Sequence, residues 1–99
     1  MRKKTLRVIT HLEAVSGTEE KSKSLLLELV ELSRKEKGCL NYELLQNNFV
    51  ETEFILVSEW ESKAAFLAHL NSDSVETLFR EDSDLLAKAP DIRQYQLLS

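Results

Sequence analysis

The order in which two hydrophobic periodicities follow one another along the chain restricts the fold more than any other feature. The runs 5–14, 39–46, 54–60 and 92–98 predict strands, because three of them alternate between apolar and polar residues and 54–60 is the densest run of strand-forming residues. After the first and third of these runs, apolar residues recur three and four positions apart, as in amphipathic helices. The order β-α-β-β-α-β predicts an α+β fold of the ferredoxin-like, split βαβ type, with both helical segments on one face of an antiparallel sheet.

The helical segments have recognisable ends. The first is predicted to run from about Glu19 to Lys37, because Gly38 follows a positively charged last turn and suits a C-cap. The second begins after Ser62, a suitable N-cap, and the polar stretch 71–73 interrupts it. We therefore expect the second helix to be broken in two.

The strand 54–60 is apolar on both sides. Phe54 and Leu56 point to one face of the sheet, whereas Ile55 and Val57 point to the other. One layer of helices covers only one of these faces, and an exposed apolar face commonly marks an interaction surface. We therefore expect a homodimer that buries the second face.

Length and charge exclude several classes of protein. The 99 residues suit one domain, 1–99, with a core over about 6–97. Net charge is −4 and the one basic cluster is residues 2–4, so we expect no nucleic-acid binding. Apolar runs fall far short of the ~20 residues that span a bilayer. Without an apolar stretch typical of a signal peptide, we expect a cytoplasmic protein with no membrane contact.

Strong metal and cofactor motifs do not occur in the sequence. Its two glycines are far apart, and Cys39 is the single cysteine. A thiolate metal cluster within one chain is therefore excluded, and we expect no metal and no cofactor. Cys39 with His11 or His69 could form a nucleophile pair, although a small buried residue at a strand start accounts for Cys39 more simply.

His69 is the most informative polar residue, and it allows two interpretations. It lies in Ala-Phe-Leu-Ala-His-Leu, beside the apolar side of the second helix. One interpretation is a half-buried histidine stabilised by the helix dipole. The other is a general base that lines a pocket between helix and sheet. The aromatic residues are open to the same ambiguity, since they suit either a pocket for a flat ligand or a small core.

Two motifs carry a resemblance to a known family. Gly38-Cys39-Leu-Asn-Tyr42 opens the second strand, and Glu59-Trp60-Glu-Ser62 is followed by His69-Leu. In this order and spacing they resemble the antibiotic biosynthesis monooxygenase family, and especially its quinol monooxygenase branch. The resemblance extends over Leu6 to Leu97 and implies a dimeric α+β barrel.

The same resemblance implies an activity and a set of site residues. Several members oxidise aromatic or quinol substrates with O₂ and without metal or flavin. Here it implies a cofactor-independent monooxygenase acting on a small aromatic or quinol ligand, with His69 as the acid/base group. The substrate pocket that it implies consists of Trp60, Asn41, Tyr42, Phe66 and Phe79.

Alternatives remain within this fold. Haem-degrading relatives use an asparagine, a tryptophan and a histidine in their site. The corresponding positions here hold Thr10, His69 and Phe79, so the resemblance disfavours haem degradation. A non-oxidative isomerase with His69 as its base and a non-catalytic dimeric ligand-binding or stress module both stay open. A pocket lined by cations would favour a phosphorylated sugar, whereas a flat apolar slot would favour the monooxygenase.

Overall fold

The computed structural model describes residues 5–82 and 84–99, without the side chains of residues 81 and 82. It contains four strands and three helices. They are β1 (Leu6–Glu13), α1 (Glu19–Ser33), β2 (Cys39–Gln46), β3 (Glu53–Trp60), α2 (Lys63–Leu70), α3 (Asp73–Asp82) and β4 (Asp91–Gln96).

The four strands form one antiparallel sheet in the order β2-β3-β1-β4. This arrangement confirms the predicted α+β, ferredoxin-like fold. Ser62 caps α2, since its Oγ accepts a hydrogen bond from the backbone N–H of Ala65 at 3.1 Å. The predicted break after α2 is also confirmed, because α3 begins at Asp73.

The core lies between the helices and one face of the sheet. Along β3 every second residue is buried, beginning with Phe54 and ending with Trp60, because successive side chains of a strand point to opposite faces of the sheet. The helices contribute the opposing apolar side chains, which are Leu26, Leu29, Val30, Phe66, Val75 and Leu78. The other face carries the half-buried Ile9, Ile55 and Val57.

Two local predictions are wrong. The helix α1 ends at Ser33 rather than Lys37, because the amides of Lys35 and Glu36 bond to carbonyl oxygens three residues back and tighten the chain into turns. The alternation over 39–46 also predicts that Leu40 shares a face with Tyr42, and it does not. A register shift between Cys39 and Asn41 leaves Leu40 exposed.

The helices α1, α2 and α3 have 15, 8 and 10 residues. Within residues 5–82 and 84–99, none is long and apolar enough to cross a bilayer.

Candidate functional site

A narrow cavity runs across the sheet, beneath the helices. Each strand contributes to its floor, with Tyr42 from β2, Ser58 from β3, Thr10 from β1 and Ile92 from β4. Phe66, Phe79 and aliphatic side chains complete a lining that includes no charged residue within the described part of the chain. The centre of a water-sized sphere can occupy about 40 Å³ of it. The cavity is therefore an apolar slot with a few polar groups.

Three of the polar groups, Tyr42, Ser58 and His69, lie at the β2 end of this slot, and Thr10 lies further along on β1. His69 lies in the last turn of α2, where the Ser62 cap sets the helix start. Its side chain is only 4% exposed, so it is fully buried rather than half-buried. The His69 ring packs on the Trp60 indole with 4.7 Å between ring centroids. This packing holds the imidazole plane beside Tyr42.

Both ring nitrogens of His69 have partners. Nδ1 lies 2.5 Å from Oε1 of Glu36, and Nε2 lies 3.3 Å from the Tyr42 hydroxyl. A carboxylate only accepts hydrogen bonds, so Nδ1 carries the hydrogen and donates to Glu36. Nε2 of the neutral ring then accepts from Tyr42. The Glu36–His69–Tyr42 chain therefore directs the basic nitrogen towards the cavity end, as carboxylate–histidine pairs do in other sites.

Burial and charge act on His69 in opposite directions. Burial disfavours the imidazolium and lowers the pKa of His69, while the hydrogen bond and charge of Glu36 partly oppose that effect. The ring is therefore neutral at pH 7 and able to accept a proton. Burial also raises the pKa of the Tyr42 phenol, which stays protonated and acts as a donor.

Gly38 brings Glu36 to this site. Its φ of +87° is favourable only for glycine, and a Cβ there would lie 2.5 Å from the Cβ of Ala65. The loop after α1 therefore contacts α2 directly, and the Gly38 carbonyl oxygen accepts from the Glu61 amide at 2.8 Å. This close approach sets Glu36 against the buried ring of the same helix.

The structure brings together four of the six site residues that the sequence suggests. His69, Tyr42, Phe66 and Phe79 line the cavity. Trp60 is fully buried behind His69 and is not among the lining residues, although its indole N–H finds the acceptor that a buried tryptophan requires, Ser58 Oγ.

Asn41 lies outside the cavity. The register shift after Cys39 places it in line with Glu59, on the opposite face of the sheet, where it donates to Glu43 at 3.3 Å. An orienting role for Asn41 in this cavity is therefore not compatible with its position. Cys39 is half-buried, and burial raises the pKa of its thiol, so it is no activated nucleophile.

Two residues of the site escape a sequence-based search. Glu36 lies in Lys35-Glu36-Lys37, which has the composition of an exposed helix end, and Ser58 is one small polar residue in an apolar strand. The one signal for Glu36 is its position two residues before Gly38, since glycine permits a close approach. No pattern in one sequence pairs residue 36 with residue 69.

Metal-binding chemistry is not evident at this site. In the described ranges, no group of three or more His, Cys, Asp and Glu side chains is arranged to hold a metal ion. The groups present are a base, a phenol, two aliphatic hydroxyls and an apolar wall. Such a site can bind a flat ligand and take a proton from it.

Several known proteins share this architecture. A Pseudomonas aeruginosa protein of known crystal structure is 30% identical, with a TM-score of 0.91 and coverage of 97% of this chain and 96% of that one. A conserved Methanosarcina mazei protein is 24% identical, with a TM-score of 0.87 and coverage of 94% and 92%. An antibiotic biosynthesis monooxygenase structure is 22% identical, with a TM-score of 0.89 and coverage of 95% and 99%. The last two likenesses show the fold alone.

A curated relative gives a partial match. An uncharacterized protein of Synechocystis sp. is 28% identical over 68 residues, which are 69% of this chain. The matched region is 46% of that relative, so the chain spans about half the length of the relative it matches. The model of the family described as antibiotic biosynthesis monooxygenase matches residues 5–81, which include Glu36, Tyr42, Ser58 and His69. The chain therefore belongs to the antibiotic biosynthesis monooxygenase family.

Proposed function

We propose that this protein is a cofactor-independent monooxygenase that oxidises a small aromatic or quinol substrate with O₂. The observation that carries the proposal is the Glu36–His69–Tyr42 chain at the polar end of an apolar slot. Family membership supports monooxygenase chemistry in general, and the cavity supports the substrate class.

The reaction requires only a base and an enclosed space. His69 accepts a proton from an activated C–H of the substrate, directly or through the Tyr42 hydroxyl, and Glu36 stabilises the imidazolium that forms. The substrate anion reduces O₂ and combines with it as a peroxide, which takes the proton back. Loss of water then leaves a carbonyl, so that CH₂ and O₂ become C=O and H₂O. The apolar wall keeps bulk water from the anion.

The cavity must widen to hold an aromatic ring. Its present space of about 40 Å³ suits only a few water molecules. Phe79 and Ile92 line its β4 side, and their side chains are already 37% and 39% exposed. Moving them therefore exposes less additional apolar surface to water than moving a fully buried lining residue. Substrate therefore enters at that side, and its reactive group reaches His69.

A homodimer fits the open face of the sheet. The cross-strand register places Arg93, Ile9, Val57 and Glu43 in one row, with the cation on one edge strand and the anion on the other. A two-fold axis parallel to the strands sets Arg93 of one copy opposite Glu43 of the second. Apolar residues then meet at the centre.

Sedimentation at micromolar concentration tests this assembly. The wild-type protein should sediment as a dimer. Val57→Lys should sediment as a folded monomer, because dimerisation would bury the unpaired charge of the lysine at the interface. A wild-type protein that is a well-folded monomer under these conditions would contradict the dimeric barrel.

Oxygen uptake tests the activity. A panel of reduced quinones and anthrones is incubated with the protein in the presence of a chelator, and uptake is followed with an electrode. Replacing a positioned general base reduces turnover by about 10²–10⁴-fold, which is the loss expected for His69→Ala. His11→Ala is the matched control, since His11 is exposed on the other face of the sheet. Unchanged turnover in a folded His69→Ala protein would end the role of His69.

A non-oxidative reaction is the second candidate, because proton transfer at this site does not itself require O₂. The same groups would remove a proton beside a carbonyl and return it at another position, as an isomerase does. Anaerobic incubation in D₂O distinguishes the two, since an isomerase incorporates deuterium and converts its substrate without oxygen. Binding with neither uptake nor conversion would indicate a ligand-binding module.

A further inference from the structure

We propose that the Ser58 hydroxyl is a catalytic donor to the substrate's oxygen, and that Trp60 is the positioning residue that keeps this hydroxyl available. The ligands that fit this donor are aromatic molecules that carry a hydroxyl or carbonyl oxygen. It rests on the proposed function for its place in the reaction, and it adds a second group to the site beside the histidine.

Ser58 lies where it can meet a ligand. It stands on the core face of β3, in register with Tyr42 of β2 on one side and Val8 of β1 on the other. Residues opposite each other on antiparallel strands have Cβ atoms about 4.5–5.5 Å apart. Ser58 is 4% exposed and lines the cavity with Tyr42 and His69. A ligand atom at this end is therefore within reach of all three side chains.

The Trp60 hydrogen bond leaves the Ser58 hydrogen free. The indole nitrogen is only a donor, and Nε1 of Trp60 donates to Ser58 Oγ at 3.0 Å in a buried contact. One lone pair of the serine oxygen is thereby occupied. Within residues 5–82 and 84–99, the Ser58 O–H has no acceptor of its own. A buried hydroxyl with an unused hydrogen is a prepared donor, and its natural partner is an oxygen in the cavity.

The Ser58 hydroxyl is a hydrogen-bond donor and His69 is a proton acceptor. Together they match a phenol or an enolisable carbonyl. As a proton leaves the substrate towards His69, negative charge develops on its oxygen. A hydrogen bond to a charged oxygen is stronger than one to a neutral oxygen. Ser58 therefore stabilises the anion more than the neutral substrate, and preorganised donors of this kind accelerate reactions.

Phenol and toluene form a probe pair that isolates this contact. The two molecules have similar shapes, and only phenol has an oxygen. Under nitrogen, with no turnover, their dissociation constants are measured by NMR titration for the wild-type protein, Ser58→Ala and Thr10→Val. Thr10→Val is the matched control, because it removes another hydroxyl from the same cavity at nearly constant volume.

Ser58→Ala should weaken phenol binding by about threefold to tenfold, the usual range for one hydrogen bond, and leave toluene binding unchanged. Thr10→Val should leave the preference for phenol over toluene unchanged, because Thr10 pairs with Leu56 and not with Ser58. If Ser58→Ala does not fold, because its Trp60 N–H is unpaired, Ser58→Cys makes the same comparison with a much weaker donor. Equal phenol binding in the wild-type and Ser58 variants, or an equal loss in Thr10→Val, would overturn the proposal.

Trp60→Phe tests the positioning role separately. Without the indole N–H, Ser58 can turn its own hydrogen away, so the preference for phenol over toluene should fall while toluene still binds. A preference that stays at the wild-type ratio would refute the role of Trp60. Because both assays measure binding without oxygen, they decide the Ser58 proposal even where oxygen uptake disproves the monooxygenase.

Discussion

The two faces of β3 differ although they belong to the same eight residues. On the helix-covered face, Phe54 is 1% exposed and Trp60 is not exposed at all. On the open face, Ile55 and Val57 are only half-buried. The covered face completes its packing within one chain, while the open face lacks an apolar partner. One strand therefore serves both the fold of the protomer and the surface that we assign to the dimer.

The polar groups on the two faces differ in the same way. The open face has full charges, such as Arg7 within 3.8 Å of Glu59 and the exposed pair of Arg93 and Asp91. Such pairs remain hydrated and contribute little to stability. On the covered side, Tyr42, Ser58 and His69 are buried and hydrogen-bonded. Replacing any of them is therefore expected to cost more than replacing a hydrated surface charge.

Replacing one apolar residue by alanine on each face of β3 should give the largest difference in the free energy of unfolding. Phe54→Ala should lower the free energy of unfolding by about 3–5 kcal/mol, since it leaves a cavity in the core. In the Val57→Lys background, which we expect to be monomeric, Ile55→Ala should cost only about 1 kcal/mol. Urea unfolding of both variants in that background measures the difference. Equal costs would show that the two faces are equally important to the protomer.

The two glycines give the next effect in size. Gly38→Ala combines a left-handed backbone, which costs about 1–2 kcal/mol, with overpacking against Ala65, so we expect a loss of about 2–4 kcal/mol. Gly17→Ala has a similar φ of +96° but open space around the new Cβ, so it should cost only about 1–2 kcal/mol. Urea midpoints compare the two. Adding Ala65→Gly should restore part of the stability only in Gly38→Ala.

The pH dependence of stability gives a smaller effect. The folded state lowers the pKa of His69, so the unfolded chain binds a proton more readily below about pH 6.5. This contribution is fully present above that pH and is lost as the pH falls towards the folded pKa, by at most about 1.4 kcal/mol per pH unit.

Glu36 and His69 variants check this sign. Glu36→Gln removes the group that favours the imidazolium, so the pKa of His69 should fall further and stability should be lost over a wider acid range. NMR titration of the ring, assigned by its absence in His69→Gln, measures the pKa directly. A higher pKa in Glu36→Gln would contradict the arrangement of this pair.

The smallest expected effect distinguishes two adjacent residues. Asn41→Ala should leave turnover within about twofold, because Asn41 is on the face away from the cavity. Tyr42→Phe removes the hydrogen bond to Nε2 of His69 and should lower turnover about tenfold. Both rates are measured with the substrate that the oxygen-uptake panel identifies. A larger loss in Asn41→Ala would place the active site on the open face.

Local pattern was sufficient to predict the fold. The dense run of strand-forming residues over 54–60 predicts a strand. The spacing of Leu26, Leu29 and Val30 predicts a helix, because this spacing follows from helical backbone geometry. The prediction failed where geometry departs from the ideal. Residues 34–37 suit a helix and a tight turn equally well, and a register shift such as the one at Leu40 leaves no mark in composition.

The site could be predicted only in part. His69 is recognisable because a histidine beside an apolar helix face is unusual, and Tyr42 because it follows the Gly-Cys pair. Glu36 and Ser58 depend on contacts across the fold, at sequence separations that no local pattern records. The resemblance implies that Trp60 belongs to the substrate pocket, whereas its actual place behind His69 depends on how β3 and α2 pack together.

The position of Trp60 also gives the protein an optical reporter. It is the chain's single tryptophan, and its ring lies 4.7 Å from that of His69. An excited indole donates an electron to a nearby imidazolium far more readily than to a neutral imidazole, and this transfer quenches its emission. The fluorescence of the unlabelled protein should therefore dim as His69 gains a proton. Stopped-flow emission can then follow proton uptake at His69 in real time.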